Sequence, residues 1–181
     1  MKEINPLDII EKYYDKSSKA YSLLVPHSIS VANKAVEIAE KHPEWKPDVR
    51  FIYEAAMLHD LGVDACDAPG IGCHGDLDYI YHGYVGAERL RALGLPQHAL
   101  VCERHVGTGI SLEQIIERGW DLPHRDMIPL SLEEIIVCYA DKFYSKTGDG
   151  LEKSPDKILK GLKHHGEDEV QRFLTWHRLF G

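Results

Sequence analysis

Residues 48–62 read DVRFIYEAAMLHDLG, and the spacing of their apolar side chains decides the fold. Asp48, after Pro47, is placed to cap a helix and Gly62 to stop one, so a helix is predicted from Asp48 to about Leu61. Within it Phe51 and Ala55 lead at i+4 to His59, while Ile52 and Ala56 lead at i+4 to Asp60. Residues four apart share a helix face, so both polar side chains continue the apolar stripe and point inward.

The same helical period recurs outward from this segment, and no convincing alternating strand interrupts it outside short ambiguous runs. Asn5 with Pro6 opens a short first helix, and a second is predicted from about Leu23 to Lys41, stopped by Pro43. Residues 64–81, DACDAPGIGCHGDLDYIY, hold three glycines and a proline and read as a long loop. Loops of that length are often functional. Helices follow from His82 to Leu93 before Gly94, and from Pro96 to about Val106 before Gly107. Ser111 with Gln114, and Ser131 with Glu134, have capping-box spacing; the second box starts a helix through Tyr144. Two amphipathic segments, 155–164 and 167–180, finish the chain. The expectation is an all-α bundle of about seven to nine helices forming a single domain over residues 1–181.

Within that bundle the histidines fall on apolar faces. His27 sits in the stripe Ala20, Leu24, Val31, Ala35, Ile38; His82 starts the face Val85, Gly86, Leu90; Val101 and Cys102 precede His105; Val137 and Cys138 precede Asp141. One such histidine is usually just a hydrogen-bonded core residue, but six inward ligand-type residues on five helices are a different case. Burying an unpaired carboxylate costs several kcal/mol, and the sequence shows too few inward-facing basic residues to satisfy Asp60 and Asp141. Two cations would. Imidazole with carboxylate suits iron, manganese, nickel, cobalt or zinc and not calcium, and four His with two Asp exceed one open tetrahedral zinc site. Asp60 offers two oxygens that can bridge both ions, while His59 reaches one.

Composition sets the outer limits. Twenty-nine acidic against 21 basic residues give a net charge of −8 with no basic run, which argues against nucleic acid as a partner. No segment approaches the length of a membrane span, the start MKEINPLDIIEKYY is no signal peptide, and Cys66, Cys73, Cys102 and Cys138 form no Cys-x-x-Cys pair, so a cytoplasmic protein with reduced thiols is expected. Cys66, Cys73 and His74 match no zinc module. The sequence does not fix an oligomeric state.

His27, then His59-Asp60 in MLHDLG, His82 in HGYVGA, His105 in ERHVGTG and Asp141 in YADK resemble the HD superfamily of metal-dependent phosphohydrolases over roughly residues 20–146. The six-ligand version is similar to the diiron bacterial hydrolases of diadenosine tetraphosphate and to dinuclear phosphodiesterases. The resemblance implies His27, His59, Asp60 and Asp141 as ligands of one metal, and Asp60, His82 and His105 as the shell of the second, with iron the foremost expectation. Many HD hydrolases carry a Lys or Arg shortly after the dipeptide, where this chain has Val63.

A pair of cations can hold a water as hydroxide near neutral pH and clamp a phosphoryl oxygen, so hydrolysis of a nucleotide or small phosphoester is expected. Asp60 as the bridge and Asp141 beside the water are the expected catalytic residues. Arg104, Lys142, Thr108 in its Gly107-Thr108-Gly109 turn, and Tyr81 (with Tyr79) are the candidate substrate contacts. Two alternatives share the ligand set: an HD-type diiron oxygenase, and a non-catalytic, metal-stabilised nucleotide-binding module, for which Val63 is the best argument.

Overall fold

The computed structural model describes residues 4–147 and 150–181. Among these the chain forms nine α-helices and one two-residue-stranded hairpin. α1 (Pro6–Ile10) and α2 (Lys19–Lys41) precede α3 (Val49–Leu58), α4 (His82–Ala92) and α5 (Pro96–Arg104). After α6 (Leu112–Arg118) come α7 (Leu132–Asp141), α8 (Pro155–Leu162) and α9 (Glu167–Phe180). β1 (Asp67–Ala68) and β2 (Cys73–His74) pair antiparallel within the long loop, turned at Gly72 with φ of 78°.

α2, α3, α5 and α7 pack on one another around the core, with α4 against α5. Small residues at the seams, Ala32 and Ala35 on α2, Ala55 and Ala56 on α3, and Ala140 on α7, are fully or almost fully buried. They let backbones approach closely enough for side chains from different helices to meet in one place. α9 closes the bundle through Tyr139, whose ring lies 5.4 Å from that of Phe173 and whose hydroxyl is 2.7 Å from His177 Nδ1.

Several boundaries depart from the sequence expectation, each for a local reason. α2 begins four residues before Leu23 because the Ser18 hydroxyl accepts the Tyr21 N–H, and the helix runs through Pro26. The capping box at Ser111 and Gln114 is complete. The one expected at Ser131 is half formed: Ser131 accepts the Glu134 N–H, but the Glu134 carboxylate takes the Leu130 N–H and Arg104 instead. α3, α5 and α7 end at Leu58, Arg104 and Asp141, short of Leu61, Val106 and Tyr144. The loop carries the hairpin and 3-10 turns at 63–65, 69–71 and 79–81.

Candidate metal centre

The three shortened helices explain where the ligands point. His59 follows the last residue of α3, and its Nδ1–H donates to the Ala56 carbonyl at 2.6 Å. His105 does the same after α5, to Cys102 at 2.7 Å, and His82, at the start of α4, donates to Tyr79 at 2.5 Å. A carbonyl only accepts, so each Nδ1 carries a proton and each Nε2 can offer its lone pair inward. The turn after α3 is held in place as well. Cys102 Sγ donates to the His59 carbonyl, Arg89 donates to the Leu61 carbonyl, and the Tyr14 hydroxyl reaches the Asp60 and Leu61 carbonyls while accepting the Asp64 N–H. Gly62 lets α4 come down on this turn, since a Cβ there would lie 2.3 Å from the His82 carbonyl oxygen and 2.4 Å from the Gly86 nitrogen.

All six expected ligands are brought together. His27 Nε2 lies 3.3 Å from His59 Nε2, and both lie 3.0–3.3 Å from Asp60 Oδ2 and Asp141 Oδ1. His82 Nε2 and His105 Nε2 are 3.1 Å apart and 3.4 and 3.3 Å from Asp60 Oδ1. The two Asp60 oxygens are thus divided between two clusters of ligand atoms. Donors bound to one ion at about 2.1 Å stand roughly 3.0–3.4 Å apart in octahedral or tetrahedral arrangement, the range observed in both clusters.

Electrostatics separates the clusters. Burial alone would push the His59 imidazolium down, but Asp60 and Asp141 outweigh it and hold the group up to about 9. His82 goes the other way, to about 3, through burial and the neighbouring His105, which is itself lowered by burial. Near neutral pH the second cluster therefore has no proton between its three lone pairs, and Asp60 Oδ1 is buried without a hydrogen-bond donor. A cation fits that arrangement and relieves it. Burial works against ionisation of Asp60 and Asp141, yet His59 with Lys146, and Lys142 with His27, keep the two carboxyls well below the usual carboxylate range.

The sequence argument that basic partners were lacking needs correction. Lys146 Nζ lies 2.6 Å from Asp60 Oδ2, and Lys142 Nζ lies 2.9 Å from Asp141 Oδ2 and donates to the His105 carbonyl. Each carboxylate has an ammonium on one oxygen, so the case for metal rests on the second cluster, where the His82 and His105 lone pairs converge on the unpartnered Asp60 Oδ1. Lys146 was not anticipated. The available signal was its position five residues after Asp141, in the turn beyond a ligand-bearing helix.

Of the candidate substrate contacts, Lys142 and Tyr79 line the cavities beside the clusters; Arg104, Thr108 and Tyr81 do not. Arg104 is bound to Glu134, 2.8 Å away, and Thr108 is fully buried, with its N–H on Glu169 and Arg172 on its oxygen atoms. Tyr81 turns its hydroxyl to the Asp121 N–H, and Tyr79 lines both cavities instead. Val63, at the position that is basic in many HD hydrolases, is buried in the core. Cys66 and Cys73 are buried thiols that join no metal-type cluster among the described residues.

A helical bundle presenting a paired His/Asp cluster at the ends of its core helices defines a class of metal-binding helical domains. The comparisons give that class its family: the HD domain family matches residues 24–145, and the chain belongs to it. The chain is 40% identical over 121 residues to the uncharacterized protein MJ0778 of Methanocaldococcus jannaschii, a match covering 65% of this chain and 64% of that protein. It is 30% identical over 173 residues to a tRNA (cytidine(56)-2'-O)-methyltransferase of Thermoplasma volcanium, covering 95% of this chain and 44% of that one. A protein of the same name from Picrophilus torridus is 31% identical over 131 residues, 72% of this chain and 34% of its own. The chain thus spans less than two thirds of the length of these relatives. Among solved structures, the HD domain of the Listeria monocytogenes phosphodiesterase PgpH shares the fold, with a TM-score of 0.56 over 98% of this chain and 96% of that one at 15% identity. No helix among the described residues is long and apolar enough to cross a membrane.

Proposed function

We propose that this protein is a metal-dependent phosphohydrolase with a dinuclear centre, acting on a nucleotide or small phosphoester. The observation that carries the reading is the division of Asp60, with Oδ1 facing His82 and His105 and Oδ2 facing His27 and His59. His27, His59, Asp60 and Asp141 would hold one ion, and Asp60, His82 and His105 the other. Two divalent cations there would supply a hydroxide near neutral pH and offset charge developing on the phosphoryl oxygens. Imidazole with carboxylate accepts iron, manganese, cobalt, nickel or zinc, and the resemblance to diiron HD proteins puts iron first.

The chain's own residues take the remaining roles. Attack by the water-derived oxygen forms a bond to phosphorus, the bond from phosphorus to the leaving oxygen breaks, and that oxygen keeps the electron pair and takes a proton from solvent. Asp141, its proton affinity depressed and one oxygen on Lys142, is suited to orienting the attacking water more than to deprotonating it. Lys142 and Lys146 add positive charge where a phosphate would sit, which favours an anionic substrate in a chain of net charge −8. The tRNA named for two relatives belongs to proteins of which this chain matches under half, and the acidic charge argues against it as a substrate.

The test is reconstitution with iron without oxygen, and separately with manganese, cobalt and nickel, followed by a panel of nucleotides and phosphoesters. Release of phosphate or nucleoside phosphate, abolished by chelator, is expected. No release with any ion overturns the proposal, and substrate-dependent oxygen uptake would replace it with the oxygenase.

A further inference from the structure

Two cavities meet at the clusters. One, of about 800 Å³, is lined by Lys142, Lys146, Lys153 and Lys157, against the carboxylates of Asp67 and Asp141. The other, of about 400 Å³, is walled by Tyr79, Ile80, Ile110 and Trp120. Asp141, Lys142, Lys146 and Tyr79 line both, so a phosphoryl group at the clusters would have a basic lobe on one side and a largely apolar, aromatic one on the other.

Lys142 and Lys146 are committed to Asp141 and Asp60. Lys153 and Lys157 are not committed in this way. Lys153 Nζ donates to the carbonyls of Lys142 and Tyr144, leaving one of its three protons, and neither lysine has a carboxylate partner among the described residues. Burial lowers the proton affinity of Lys153, with Asp141 opposing the shift and the nearby Lys142, Lys157 and Lys146 adding to it. A single phosphate at the clusters makes no use of the lysines on the α8 side. We infer that the basic lobe seats a second phosphate group, so that the substrate is a compound with linked phosphates, a nucleoside diphosphate or triphosphate whose organic part takes the aromatic lobe. This rests on the phosphohydrolase reading for the position of the first phosphate.

The experiment is calorimetric titration of metal-loaded protein with methylenediphosphonate, which cannot be hydrolysed, and with inorganic phosphate. Wild type is expected to bind the diphosphonate at least about 10-fold more tightly, and Lys153→Met/Lys157→Met to lose about 10-fold for the diphosphonate but under about twofold for phosphate, one charge-assisted contact being worth about that. Lys157→Met alone, at an exposed position, is expected to lose roughly threefold and guards against a folding artefact. Equal binding of the two anions by wild type, no binding of either, or unchanged diphosphonate affinity in both variants overturns the seat. A lysine-dependent preference without hydrolysis of any nucleotide would leave the seat standing and remove the catalytic reading. Hydrolysis without lysine dependence would do the reverse.

Discussion

Replacing Asp60 by Asn keeps the side-chain volume and removes the charge that both clusters share. Asp60 Oδ1 lies 3.3–3.4 Å from His105 and His82, and Oδ2 lies 3.0–3.2 Å from His59 and His27. An amide can present its oxygen to one cluster only, while its NH2 faces the lone pairs of the other. Losing even an outer-shell partner of a metal ligand costs 10–100-fold in affinity, so losing a shared ligand should cost each ion at least about 1.4–2.7 kcal/mol. With free metal at 100 times Kd each ion adds about 2.7 kcal/mol to stability, so two raise the melting temperature by roughly 10–20 °C in a domain of this size. Asp60→Asn should erase half or more of that rise, and both ions should be weakened together. His27→Ala removes a ligand from the first cluster only and should leave one ion. Without metal the substitution still costs stability: the Lys146 ammonium and the His59 imidazolium lose the carboxylate they face, so metal-free Asp60→Asn should melt below metal-free wild type. Elemental analysis after gel filtration and melting curves with and without chelator measure all three quantities. If Asp60→Asn keeps two ions and the full metal-dependent rise while His27→Ala does not, Asp60 is no bridge.

Gly62→Ala would drive a Cβ into the His82 carbonyl and Gly86 backbone, costing roughly 1–3 kcal/mol or more and displacing His82, so metal content should fall along with the melting temperature; an unchanged variant would show that the contact is slack. Tyr14→Phe strips the buried Asp64 N–H of its acceptor and should cost about 1–3 kcal/mol in chemical denaturation while both ions remain, whereas loss of metal would reveal a tighter tie to the Asp60 turn. Metal-free protein should melt lower on both sides of about pH 6.5, the ordinary histidine value. On the acid side the unfolded chain protonates His82 while the fold holds it to about 3; on the alkaline side the proton that the fold keeps on His59 is lost as pH rises through about 9. Metal should remove the alkaline loss, and a melting temperature flat from pH 5 to 9 without metal would contradict the pKa assignments.

The helical fold was legible because its signals are local: Ser111 with Gln114, Asn5 with Pro6 and Gly94 after α4 act within one turn. The gathering of the six ligand-type residues was legible too, because inward histidines and aspartates on apolar stripes must converge in a small core. The helix ends were not. His59 and His105 look like interior residues of the period, yet each side chain takes the carbonyl three residues back and ends its helix. Lys146 escaped notice because it lies in an irregular connection, where no period tells which way a side chain points; only the folded path from α7 to α8 lays it on Asp60. Arg104 was misread for the opposite reason. Adjacent to His105 in sequence, it sits on another face of α5 and is held by Glu134.

The most direct test is a crystal structure of metal-reconstituted protein with anomalous data at the metal edge. Two anomalous peaks are predicted, one against each carboxylate oxygen of Asp60, with Lys146 turned from Asp60 toward the basic lobe. A single peak, or two peaks of which neither touches Asp60, would contradict the dinuclear assignment.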